Sequence, residues 1–172
     1  METIKTYENY PVWILILSNF VSLAIYVSGF IIMSQIGWIV SILYLFYIFA
    51  LEYRVISRHC TECYYWGKTC GFGRSRISSL FFKQRENSKF CQNTITWKYM
   101  IPDLLVSLIP FVTGIILIII KFDYLLLIAV VTLLIMTTSG NGFIRGKLTC
   151  KFCKQRVLGC PADRLFNKDK LD

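Results

Sequence analysis

With 172 residues, 55% hydrophobic and only 17% charged, the chain is too apolar for an ordinary soluble domain, where about a quarter of residues carry charge. Its mean hydropathy is +0.55, and compact basic blocks alternate with long apolar ones, the pattern of a membrane chain. One helical bundle with short appendages uses the whole length, leaving little room for a second soluble domain.

The first ten residues, METIKTYENY, hold one lysine and two glutamates. That is a poor basic n-region, and the apolar block behind it is too long for a signal-peptide core. Residues 1–10 therefore read as a cytoplasmic tail before a retained first helix. Pro11 to about Met33 has no charged residue; in hydrocarbon its backbone satisfies itself only as a helix. Ser34-Gln35-Ile36-Gly37 reads as a turn, and Trp38 to about Tyr53 as a returning helix whose end is marked by Glu52, Arg54 and Arg58. Residues 11–58 thus form a first transmembrane hairpin and 59–98 a cytoplasmic loop. Residues 99–144 form a second hairpin and 145–172 a cytoplasmic tail.

In the second hairpin, Pro102 suits a first helical position because it has no N–H to satisfy, and Asp103 suits the positive end of the helix dipole. This helix is expected to reach about Ile120, with Lys121-Phe122-Asp123 as the turn. The fourth should run from Tyr124 to about Thr138, where Ser139-Gly140-Asn141-Gly142 ends or frays it. Pro110, in mid-helix, should kink the third span and leave an irregularity for neighbouring helices to cover. The expected fold is an all-α integral membrane protein, a four-transmembrane-helix bundle built from two tandem helical hairpins. Each hairpin is followed by a cytoplasmic C-x2-C-x6-C metal-binding loop.

Lysine and arginine placement sets the orientation. Lys5, nine basic residues from Arg54 to Lys98 and eight from Arg145 to Lys170 lie on one side, eighteen of nineteen in all; Lys121 is the exception. The positive-inside rule then puts both termini and both cysteine sets in the cytoplasm, with the chain a multi-pass protein of the cell membrane. The same rule accounts for the net charge of +9, so basicity does not point to nucleic acid, and no groove-reading element is legible. Attraction to anionic lipid headgroups of the bilayer follows instead.

Cys60, Cys63 and Cys70 are spaced C-x2-C-x6-C, and Cys150, Cys153 and Cys160 repeat the spacing ninety residues on. Each set follows an apolar hairpin and precedes a basic, partly apolar segment, Arg76–Phe82 in one case and Asp163–Phe166 in the other. Two helices separate the sets, so both copies share one orientation and an axis along the membrane normal can bring the clusters face to face. Cytosolic thiols stay reduced, which argues against structural disulfides. A thioredoxin-like reading of C-x-x-C needs a βαβ context that is absent. Metal ligation remains: each C-x-x-C turn offers two corners of a tetrahedron, and two turns complete a four-thiolate zinc site. Cys70 and Cys160 are additional ligands.

With all six positions, the spacing resembles that of fungal binuclear zinc-cluster proteins, which hold two zinc ions in two such halves. The resemblance implies one or two zinc ions here. In that family the halves are close in sequence and bind DNA; here a membrane hairpin separates them, and that function does not carry over. A [4Fe–4S] cluster is the alternative, because it too takes four thiolates and Cys160-Pro161 is similar to the ending of bacterial ferredoxin runs. Flanking cations (Arg58, Lys68, Arg74 and Arg76; Lys147, Lys151, Lys154 and Arg156) are expected to lower thiol pKa values.

Several residues carry less. His59 adjoins Cys60, and neighbours seldom reach one ion, so it reads as a packing or water-facing residue. Cys91 reads as a free thiol. Tyr64, Tyr65 and Trp66 read as interfacial anchors, the glycines of Gly71-Phe72-Gly73 as turn formers, and Ile77–Phe82 as a short helix on the bilayer surface. Glu52 and Asp103 are explained by capping and interfacial solvation. No catalytic constellation is legible, and fully thiolate-ligated zinc is usually structural. The expectation is a metal-binding membrane subunit with an interaction, regulatory or redox- and oxygen-sensing role, its basic cytoplasmic face meeting a protein partner. The alternatives are an iron–sulfur oxidoreductase or electron carrier and, behind it, a small transporter.

Overall fold

A computed structural model of the chain describes residues 6–86 and 97–160. Every regular element among them is helical: α1 Val12–Ser34, α2 Trp38–Arg54, α3 Arg74–Phe81, α4 Trp97–Ile120, α5 Tyr124–Ile135 and α6 Lys154–Gly159. A π-helical turn, Val55–His59, prolongs α2. Four helical runs are long and apolar enough to cross a membrane: Val12–Ser34, Trp38–His59, Met100–Ile120 and Tyr124–Phe152.

The last run corrects one expectation. Ser139-Gly140-Asn141-Gly142 does not end the fourth helix; a π turn over Met136–Gly140 carries it into Asn141–Phe143 and a further π turn, Ile144–Thr149. Leaving the helix there would strand backbone groups that hydrocarbon cannot solvate, so weak helix formers stay helical. Gly140 also faces α1, where a Cβ would stand 3.2 Å from Val21 Cγ1. The third helix likewise starts at Trp97, before the expected Pro102.

Between apolar helices in lipid there is little hydrophobic driving force, and close packing of small residues does the work. Helix α1 packs against α2, α4 and α5. Its Ser18 and Ser28, and Ser41 of α2, are buried, while Val21, Ile25 and Ile32 interlock with Leu126, Ala129, Val130 and Leu133 of α5. The largest apolar side chains point the other way: Trp38, Ile39, Phe46, Phe49 and Ile119 are all exposed. Small inside and greasy outside is the surface a bilayer requires, and far exceeds the apolar patches of a water-facing protein.

Pro110 shows how the bundle covers a backbone defect. Without an N–H it cannot bond the Val106 carbonyl one turn earlier. Tyr44 of α2 donates its hydroxyl to that carbonyl at 2.9 Å, as the expected irregularity demands. The phenol reaches α4 across Gly29 of α1, where a methyl group would collide with the Tyr44 hydroxyl. One glycine, one tyrosine and one proline thereby join three helices. Tyr47 repeats the reach a turn further on, donating to the Pro102 carbonyl at 2.8 Å.

Helix α3 has an inverted pattern. Ser75 and Ser78 are buried, with Ser78 Oγ donating to the Ile56 carbonyl at 2.9 Å, while Ile77, Leu80 and Phe81 are exposed. Serines toward the protein and apolar side chains outward suit a helix resting on a bilayer surface.

Candidate functional site

Both cysteine sets lie at the end of the bundle where α1 begins and the runs of α2 and α5 end. They share local geometry down to individual hydrogen bonds. A π turn precedes each set: Cys60 N–H donates to the Val55 carbonyl at 3.0 Å, and Cys150 N–H donates to that of Arg145. Each C-x-x-C then closes on itself, Cys63 N–H to Cys60 O at 3.4 Å and Cys153 N–H to Cys150 O at 3.3 Å. Each chain leaves in the same way, Trp66 N–H to Cys63 O at 3.0 Å and Arg156 N–H to Cys153 O at 3.1 Å. Every pair of bonds is offset by ninety residues.

The two knuckles also grip each other reciprocally. Tyr64 N–H donates to Gln155 Oε1 at 2.7 Å, and Lys154 N–H donates to Tyr65 Oη at 2.9 Å. Tyr64 and Lys154 are equivalent at the ninety-residue offset, as are Tyr65 and Gln155, and both capping side chains are almost fully buried. The two bonds are therefore reciprocal at the ninety-residue offset.

The N-terminal segment threads between the knuckles as a clasp. Tyr7 N–H donates to the Phe152 carbonyl at 3.0 Å and its carbonyl accepts from Tyr65 Oη at 2.7 Å. Tyr10 donates its hydroxyl to Thr149 O at 2.6 Å and its N–H to Thr69 O at 2.9 Å. Glu8 accepts from Tyr64 Oη at 2.5 Å, from Lys68 at 3.4 Å and from Lys154. These bonds hold its carboxyl down at about 2, the Lys154 hydrogen bond contributing most and Tyr64 next. Gly71 lets the loop close on the other copy, since a Cβ there would stand 2.6 Å from Thr149 Cγ2.

Comparison with protein families, curated proteins and solved structures finds no match for this chain.

The six sequence-selected cysteines are thus placed in two adjoining knuckles. Cys60 is buried, Cys63, Cys70, Cys153 and Cys160 are half-buried, Cys150 is exposed, and no disulfide joins the described cysteines. Cys153 is near enough for its thiolate to raise the Cys63 pKa. Among the described residues, no three His, Cys, Asp or Glu side chains are gathered around one point as ligands of an ion. The expected lowering of thiol pKa by flanking cations is overturned. Burial pushes the Cys60 and Cys63 thiols up to about 12, with neighbouring cysteines adding to the rise and Arg74 only partly offsetting it at Cys60. Cys153 is raised too, again chiefly by burial. Cys63 and Cys153 pack against the buried Tyr10, Ile14 and Tyr65, and desolvation of a thiolate there outweighs the nearby cations.

His59 is exposed, and Cys91 and residues 163–166 lie outside the described residues. Tyr65 is not a bilayer anchor: its relative exposure is 1%, beneath the clasp. The clasp residues Tyr7, Glu8 and Tyr10 were missed because their partners are 56 to 146 residues away in sequence. Tyr65 and Gln155 carried a usable signal, their shared position two residues after the second cysteine of each set.

Proposed function

We propose that the chain is a membrane-anchored metal-cluster protein. Cys60, Cys63, Cys150 and Cys153 form a zinc site, Cys70 and Cys160 act as further ligands, and the knot fixes a basic cytoplasmic face for a protein partner. The observation carrying this reading is the reciprocal capping of Tyr64 N–H by Gln155 and of Lys154 N–H by Tyr65. It sets two C-x-x-C turns against each other, the arrangement a four-thiolate ion needs. Tandem hairpins related by a two-fold axis along the membrane normal would produce such a pairing. The placement of eighteen of nineteen basic residues outside the two short turns supports a cytoplasmic knot. Thiolate sites lose metal or oxidise, so an interaction, regulatory or redox-sensing role follows for the assembly it joins.

Anaerobic purification with metal analysis and an absorption spectrum tests the reading. One or two zinc ions per chain are expected, lost in Cys63→Ser and Cys153→Ser. Metal-free protein whose six thiols all alkylate freely would overturn it. A [4Fe–4S] electron carrier is the second reading, favoured by the water-poor setting of Cys60 and Cys63; a brown protein bleached by dithionite would select it.

A further inference from the structure

A second polar site lies inside the helical bundle, apart from the thiols. A cavity of about 130 Å³ opens between α1, α2, α4 and the prolonged α5, with Ser22, Glu52, Arg74, Asp103, Thr137 and Arg145 on its walls. It has room for several waters or one small polyatomic group, since a water needs only ~10–15 Å³ of such space.

The charges select the ligand class. Glu52 accepts from Arg74 and, at 2.5 Å, from Tyr26 Oη; Asp103 accepts from Arg54 at 3.2 Å. Both carboxylates are therefore engaged, and a cation would have to displace an arginine. Arg145 pairs with no carboxylate among the described residues; its Nε donates only to the Asn141 amide oxygen at 3.2 Å. Three guanidiniums (Arg54, Arg74, Arg145) against two carboxylates leave one positive charge at the cavity. Phe72 holds Arg74 and Arg145 near one ring, at 5.6 Å and 5.5 Å from its centroid, and two like charges so placed favour an anion beside them. Thr137 Oγ is buried on the cavity wall with no hydrogen-bond partner among the described residues, a state that costs free energy unless a ligand or water answers it.

We infer that this cavity binds a phosphate oxyanion, held by the Arg145 guanidinium and the Thr137 hydroxyl beside the Arg74–Glu52 ion pair. Arg145 is exposed at the mouth, so the phosphate can belong to a lipid headgroup in the adjoining leaflet or to a free ion; the chemistry is shared.

The full-length protein in neutral detergent is titrated with inorganic phosphate, and in nanodiscs phosphatidylcholine alone is compared with phosphatidylcholine plus phosphatidylglycerol. Thermal unfolding and native mass spectrometry are the readouts. Wild type and Lys121→Gln, which removes a distant positive charge, should both be stabilised. Arg145→Gln should weaken binding by about 10- to 100-fold, the loss of a charge-assisted pair, and Thr137→Val by less. A response to phosphate alone identifies a soluble ligand, and a response to phosphatidylglycerol alone a lipid; either supports the site. Equal responses from wild type and Arg145→Gln, or none to either probe, would overturn it. If Arg145→Gln does not fold, Arg145→Lys and Thr137→Val decide: unchanged binding in both overturns the site. Protein stripped of metal should respond identically.

Discussion

Removing one oxygen from the middle of the bundle, by Tyr44→Phe, isolates the bond that compensates for Pro110. Tyr44 Oη donates to Val106 O at 2.9 Å, and the residue is 5% exposed. The ring keeps its place beside Gly29, so the change removes a hydrogen bond without opening a cavity. A stranded buried carbonyl costs about 1–3 kcal/mol in water-soluble proteins. Side-chain bonds between membrane helices average nearer ~0.6 kcal/mol, with a maximum of ~1.7. The Val106 carbonyl has lost its helical donor, so Tyr44→Phe should lie toward the upper value, about 1–1.5 kcal/mol. That corresponds to roughly 2–6 °C in unfolding temperature for a chain of this size. The decisive comparison is in a Pro110→Ala background. The alanine restores an N–H for the Val106 carbonyl, so Tyr44→Phe should there cost less than about half as much. Reversible unfolding in mixed micelles, measured as a double-mutant cycle, gives the coupling. Equal costs in the two backgrounds would refute the claim that Tyr44 answers the proline.

Gly29→Ala should cost more than Tyr44→Phe, about 1–3 kcal/mol from overpacking, because the new methyl displaces the phenol and breaks the same bond; Gly29→Ala combined with Tyr44→Ala should recover part of the loss in the same assay. Tyr65→Phe strands the Tyr7 carbonyl and the Lys154 N–H together, and amide exchange at Lys154 should accelerate about tenfold or more, as for a loss of ~1.4 kcal/mol. Unchanged exchange there would show that the clasp does not depend on Tyr65. Glu8 gives a pH window. Its folded carboxyl lies at about 2 against an ordinary 4.5, so its stabilising contribution is complete above 4.5 and disappears as pH falls through about 2. Proteolysis of the N-terminal segment in metal-free protein should rise across that window in wild type and be pH-independent in Glu8→Gln.

Much of the architecture was legible from residues alone. Uncharged runs such as Pro11–Met33 must be helical wherever water is absent, and the proline at 110 announced a defect before its partner was known. The cysteine spacing likewise announced two matched turns, because a C-x-x-C bend is a local structure. Burial was not legible: flanking cations suggested activated thiols, whereas the burial of Cys60 and the packing of Cys63 and Cys153 against Tyr10, Ile14 and Tyr65 reversed the sign. The end of the fourth helix was misplaced because Ser139-Gly140-Asn141-Gly142 breaks helices in water, and its setting against Val21 keeps it helical.

Local rules therefore fixed the spans, the turns and the thiol knuckles, since each depends on neighbours a few residues apart. Tertiary structure alone decided which groups meet across the chain: Tyr44 with Val106, Tyr65 with Tyr7 and Lys154, and Arg145 beside Phe72. Those pairings depend on how helices pack and on which side chains are short enough to let others through, and no single stretch of sequence encodes that geometry.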